Sequence, residues 1–147
     1  MINSRSLEDL RPQVKDLCVK FINQCKQAGV EILITSTYRD FESQAALYEI
    51  GRTVKGSNPT KIKPMGSIVT NAKAGQSFHN YRVAFDFVPL INGKAIWDDN
   101  ELFTKCGLIA ESVGLEWAGH WVSFKETAHC QFTNGLKLAD FQAGKTI

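Results

Sequence analysis

One carboxylate constrains this chain more than any other residue. Asp86 lies inside the apolar run Val83-Ala84-Phe85-Asp86-Phe87-Val88, and Phe85 to Ile91 reads as a strand. Alternation sends Phe85 and Phe87 to one face and Ala84, Asp86 and Val88 to the other. An ionised carboxylate on so apolar a strand is costly unless it is paired or bound to a metal. Whatever the fold, it has to bring a cation or cation-binding groups to that face.

Three histidines are available: His79, His120 and His129. His79 precedes Asp86 by seven positions in SFHNYRVAFDF, an odd offset that would set the two on opposite faces of a straight strand. They converge only if the chain bends between Asn80 and Arg82. Glu126-Thr127-Ala128-His129 forms a second cluster, in which an offset of three brings Glu126 and His129 to one side of a helical turn. His79, Asp86 and His129 would make a three-ligand site with a fourth position open to water, the arrangement of a catalytic zinc. Glu126 would then stand within reach of that water's proton. Spacing alone leaves two readings open, because a histidine six residues from an aspartate arises readily by chance.

The rest of the chain frames one domain. With 147 residues, 44% hydrophobic and 22% charged, it can bury a core unaided, which excludes a disordered chain and a collagen-like repeat. A formal charge of +2 is too weak for a duplex nucleic-acid binder. Val14, Leu17, Cys18, Phe21, Ile22 and Cys25 recur at helical steps behind Pro12, and Gly29 ends the stripe. Glu31 to Thr37 is short and β-branched, a buried strand. Asp40 caps a helix over Phe41 to Ile50, and Asn100 opens another that ends at Gly114.

Between these helices, Arg52 to Gln76 carries glycine, proline and lysine without periodicity, the mark of a functional or mobile loop. Asn92-Gly93 is a turn signal. Leu115 to Trp117 and Cys130 to Phe132 read as short strands, and Leu136 to Gln142 as a last helix. This order predicts an α+β fold, a small antiparallel sheet flanked by helices. The four cysteines form no CxxC pair and read as reduced thiols. No apolar export signal or membrane span is expected, so the product should accumulate in the cytoplasm.

Four ordered segments carry a resemblance. SFHNYRVAFDF is similar to the S-x-H-x-x-G-x-A-x-D motif of the D-Ala-D-Ala carboxypeptidase and hedgehog-like metallopeptidases. GLEWAGHWVSFKETAHCQF resembles their tryptophan followed by (D/E)-x-x-H. STYRDFESQAALY, and GRT with the later IVTNAKAGQSFHNY, resemble the phage-type L-alanyl-D-glutamate endopeptidases, the endolysins. The likeness runs from about Ser4 to Phe132.

The resemblance implies a single zinc peptidase domain over residues 1–147, with no separate wall-binding domain. It implies Zn²⁺ held by His79, Asp86 and His129, with Glu126 as acid/base. Arg39 matches the arginine that binds substrate and polarises the scissile carbonyl. Ser77 matches a serine lining the substrate site, and Gln44 a further motif position on the substrate-binding side. The expected reaction is hydrolysis of the L-Ala–D-Glu bond of the peptidoglycan stem peptide by a monomer. Made in the host cytoplasm, such an endolysin would reach the wall by holin-type release. The alternatives are a D-Ala-D-Ala carboxypeptidase or dipeptidase, and an inactive zinc-containing peptidoglycan-binding module. Arg82 stands where the family commonly has glycine, so a bend through positive φ is less accessible there. Glu126 replaces a frequent Asp, Ala128 a frequent Pro, and His120 a residue that is often acidic.

These assignments separate the histidines experimentally. His129→Ala should lose bound metal in elemental analysis, whereas His120→Ala should keep a full complement.

Overall fold

The computed structural model describes all 147 residues. After a 3₁₀ turn at Leu7–Asp9, capped by the Ser6 hydroxyl, Pro12 opens helix α1 (Pro12–Gln27). Strand β1 (Glu31–Ser36) follows, then α2 (Phe41–Glu49), whose first turn is capped by the Asp40 carboxylate accepting from Ser43 N–H. Strands β2 (Ala84–Ile91) and β3 (Lys94–Ala95) form a hairpin across Asn92-Gly93. Both turn residues have positive φ, as a two-residue hairpin of this hand requires. Helix α3 (Asn100–Ser112), β4 (Glu116–Trp117), β5 (His129–Gln131) and α4 (Leu138–Gln142) complete the chain.

The sheet is antiparallel throughout, in the order β1-β2-β5-β4, with β3 pairing the far end of β2. Strand β2 is therefore central, and its alternation separates two environments. Phe85 and Phe87 turn toward the helices. The Phe21 ring of α1 lies 5.8 Å from Phe85 and 5.0 Å from Phe87, and the Phe103 ring of α3 is 5.6 Å from Phe87. All four rings are buried, each contributing about 1.5–3 kcal/mol of transfer energy. Asp86 points the other way.

Two local features set what stands beside Asp86. The β1–β2 register slips at Thr35, so that Ser36 opposes Asp86 although Ile34 opposes Phe87. Such a bulge re-aims the strand end. On the other edge, Asp86 pairs directly with His129. Strand β4 is one residue shorter than its sequence pattern suggests, β5 keeps its expected length but begins one residue earlier, at His129, and the last helix starts at Leu138 instead of Leu136. Residues 55–76 form no helix or strand but are tied internally, Gly56 N–H to Met65 and Ser67 N–H to Ser57.

No helix is long and apolar enough to cross a membrane. All four cysteines are free and fully buried. Burial pushes the Cys18 thiol up to about 12 and raises Cys130 as well. Thiolate is the reactive form. A hydrogen bond with Cys25 shifts Cys106 the other way, downward, but complete burial keeps reagent from all four sulfurs, so the native protein should resist a disulfide reagent at neutral pH and release four thiols only on addition of denaturant. Rapid labelling of the folded chain would contradict this packing.

Candidate metal centre

The bend anticipated ahead of β2 is a 3₁₀ turn, Phe78–Tyr81, followed by Arg82 in the left-handed region at φ 65°. Arg82 thus adopts positive φ despite carrying a side chain, which corrects the expectation drawn from its replacing glycine. The conformation costs about 1–2 kcal/mol. It is held by the guanidinium lying 3.8 Å over the Tyr38 ring and donating to the Asp9 carbonyl at 3.1 Å. The turn is capped by Ser77, whose hydroxyl accepts from His79 N–H, and by Asn80, whose amide oxygen accepts from Ser77 N–H. It carries His79 back across the strand face, removing the parity problem of the seven-residue offset.

His79, Asp86 and His129 converge, their potential ligand atoms all within 4.8 Å of one another. Asp86 Oδ1 is 3.2 Å from His79 Nε2 and 3.2 Å from His129 Nδ1. The outer nitrogens determine the tautomers. His79 Nδ1–H donates to the Thr37 carbonyl at 2.8 Å, and His129 Nε2–H donates to Gln131 Oε1 at 2.9 Å. In neutral imidazoles the inner nitrogens then carry lone pairs. Three acceptors face one another with no hydrogen to share, an arrangement that demands a proton or a cation at its centre.

The electrostatics express the same demand. Burial alone would raise the Asp86 carboxyl, but His79 and His129 outweigh it and hold the group well below the usual carboxylate range. Burial likewise opposes protonation of His129, yet the hydrogen bond to Asp86 wins and shifts it upward. Two neutral nitrogens and one carboxylate, each nitrogen oriented by a second hydrogen bond, fit a divalent transition metal.

Around this cluster opens a cleft of about 400 Å³, walled by Arg39, Ser77, Trp121, Glu126 and the Val69–Ala72 stretch of the long loop. Glu126 Oε2 is 3.8 Å from His129 Nδ1. The segment from Glu126 to His129 is a tight turn entering β5, with His129 N–H bonded to the Glu126 carbonyl at 3.4 Å, where a helical turn was expected. The outcome for the two side chains is the same: both face the cluster. Glu126 remains exposed, free to exchange protons.

Trp117 braces this turn from behind. Its indole N–H donates to the Thr127 carbonyl at 2.8 Å, and Glu126 N–H donates to the Ala118 carbonyl at 3.2 Å. The indole is sandwiched between Gly107 and Gly119, where a β-carbon on either glycine would overlap the ring.

Arg39 projects into the cleft from the loop after β1. Burial lowers its guanidinium pKa, opposed by the negative charges of Asp86 and Glu126, and arginine remains charged throughout the working range. Its Nη1 donates to Gln44 Oε1 at 2.9 Å and its Nη2 to Ser36 Oγ at 3.3 Å. Gln44 is itself fully buried and donates to the Ala72 carbonyl at 2.8 Å. It is withdrawn from the cleft wall and bridges Arg39 to the long loop. Ser77 both caps the turn and lines the cleft. His120 lies apart, exposed and hydrogen-bonded to Glu111 at 3.0 Å. The supporting groups Thr37, Ser36 and Gln131 were not legible in the sequence. Gln131, two residues beyond His129, was the one with a positional hint.

This architecture defines a peptidase of the D-alanyl-D-alanine carboxypeptidase class. A family profile with that description matches residues 70–132. The chain is 34% identical over 132 residues to the peptidoglycan L-alanyl-D-glutamate endopeptidase CwlK of Bacillus subtilis, covering 84% of this chain and 73% of the relative. It therefore belongs to the L-alanyl-D-glutamate endopeptidase family within that class. The L-alanyl-D-glutamate peptidase of Listeria phage A118 is 29% identical over 135 residues, 88% of this chain and 41% of the phage protein. Among solved structures, the D,D-pentapeptidase VanY in complex with Zn(II) shares the fold, with a TM-score of 0.63 at 17% identity over 90% of this chain and 83% of VanY.

The bracing of Arg39 can be measured by stability. Gln44→Ala, which leaves a cavity and orphans the Ala72 carbonyl, should cost about 2–4 kcal/mol in denaturant titrations. Gln44→Met should recover the packing share only. A neutral result for Gln44→Ala would remove Gln44 from this role.

Proposed function

We propose that this chain is a zinc-dependent endopeptidase that hydrolyses the L-Ala–D-Glu bond of peptidoglycan stem peptides. The observation that carries the reading is the convergence of three lone-pair donors, oriented by Thr37 and Gln131, at the floor of a cleft that also holds Glu126 and Arg39. The named activities of the Bacillus and Listeria phage relatives support the bond, and the zinc complex of VanY supports the metal. The phage relative also supports a role in wall lysis as an endolysin.

His79, Asp86 and His129 would hold the metal, which when bound lowers the pKa of water and polarises a carbonyl oxygen. The remaining work falls to the chain's own residues. Glu126 accepts a proton from the attacking water as the water oxygen bonds to the carbonyl carbon of alanine. As the C–N bond breaks, Glu126 returns that proton to the nitrogen of the departing glutamate. Arg39 offers fixed positive charge where the carbonyl oxygen gains negative charge, and its bonds to Gln44 and Ser36 set its direction before substrate arrives. Ser77 lines the same cleft and contributes a polar edge for substrate binding. The whole chain acts as one catalytic domain.

Glu126→Gln keeps size and hydrogen bonding but cannot take the proton. It should retain zinc and fold while cleavage falls roughly 10²–10⁴-fold. The assay is mass spectrometry of digested purified peptidoglycan, read beside metal content of the same preparation. New amino-terminal D-Glu supports the proposed bond. Free D-Ala with no new D-Glu terminus would instead assign carboxypeptidase action, and near-normal digestion by Glu126→Gln would remove Glu126 from the chemistry.

A further inference from the structure

The catalytic cleft does not end at Glu126. Contiguous with it lies a second cavity of about 600 Å³ that shares six lining residues with the first, Val69, Phe124 and Glu126 among them, and continues past Ile68, Lys125 and Leu138. Its lips are apolar and open to solvent: Ile68 is 51% exposed, Val69 56% and Phe124 75%. Phe124 also has φ 55°, in the left-handed region. For a bulky side chain this is costly, and such strain gathers at ligand-holding segments. Nothing in the folding of the domain requires a strained, exposed phenylalanine at this point. The cleft chemistry gives it a use.

Proton return fixes which half of a substrate enters this cavity. The nitrogen that leaves must lie beside Glu126 to receive its proton, so the chain attached to that nitrogen continues on the Glu126 side of the cluster. The second cavity is the space available there. On the endopeptidase reading above, on which this inference rests, the leaving half begins with D-glutamate. Glutamate has two carboxyl groups, of which only one can continue a peptide chain; the other is present as a free carboxylate or as an amide. Lys125 is the basic side chain lining the cavity.

We infer that the cavity bounded by Ile68–Val69 and Phe124–Lys125 is the subsite for the leaving half of the stem peptide. Lys125 pairs with the free carboxylate of its D-glutamyl residue, and Phe124 covers the aliphatic part of the chain. Lys125 thereby discriminates between acid and amide forms of the substrate, a distinction that Arg39, committed to the scissile carbonyl, is not placed to make.

Two synthetic stem peptides test this, identical except for a D-glutamate carboxylate or its amide, with kcat and KM measured on the zinc-loaded protein. The wild-type chain should favour the acid roughly 5- to 10-fold in kcat/KM, the size expected for a charge-assisted hydrogen bond near solvent. Lys125→Met should bring that ratio close to one, chiefly through KM of the acid peptide. Phe124→Gly should raise KM for both peptides, about tenfold, while leaving the acid-to-amide ratio intact. Because glycine accepts φ 55°, this variant should melt no lower than wild type. A ratio unchanged in Lys125→Met, or an unchanged KM in Phe124→Gly, overturns the subsite while leaving the endopeptidase reading in force. Failure of the wild-type chain to cut either peptide overturns that reading and the subsite with it.

Discussion

The structure depends on one unfavourable meeting: a carboxylate and two imidazole nitrogens turned toward each other on the half-open face of a sheet. Asp86 is the residue that creates the problem, since its neighbours Phe85 and Phe87 are locked into the aromatic core. A shift of one residue in register would bury the carboxylate among those rings and expose the phenylalanines. The core therefore enforces the orientation of Asp86, and cross-strand pairing with His129 supplies the first partner. His79 completes the set only because a capped 3₁₀ turn and a left-handed arginine reverse the chain before β2. Packing on one face of the sheet thus determines chemistry on the other.

Support for the cluster comes in layers with different tolerances. The hydrogen bonds from His79 to Thr37 and from His129 to Gln131 are short and buried, and they decide which nitrogen is offered inward. The hold on Arg39 is indirect, passing through Gln44 to the long loop at Ala72. That connection ties a loop without regular structure to the body of the domain. It is anchored through Gln44 to the arginine that it helps to position, so the cleft wall and the cleft charge share one support. Strain at Arg82 is repaid locally by stacking on Tyr38, whereas Phe124 makes no comparable contact and stands open to solvent.

What the sequence disclosed follows from the range of the interactions involved. Asp86 within an apolar run, the helical stripe from Val14 to Cys25 and the cap at Asp40 are local signals, and the structure contains each of them. The convergence of His79 with Asp86 was legible only as a conditional, since it needed a bend whose geometry depended on Arg82. Glu126 and His129 were paired correctly through the wrong local structure: an offset of three brings side chains together in a tight turn as in a helix. Motif position alone says nothing about depth, and Gln44 lies fully buried behind the arginine. Thr37 and Ser36 left no trace, as one acts through its carbonyl and the other through a bulge visible only in paired strands.

Trp117 has a consequence for anyone altering this domain. Gly107 sits in the interior of helix α3, where replacing glycine by alanine ordinarily strengthens a helix by up to about 1 kcal/mol. Stabilisation protocols that scan helices for glycine would select it first. Here the missing side chain is the slot itself: the indole occupies that space, and its N–H holds the turn bearing Glu126 and His129. A substitution chosen for durability would push the tryptophan outward and carry that turn with it. Thermal hardening of this enzyme should begin at exposed positions remote from α3, and the two glycines that flank the ring should be treated as part of the active site.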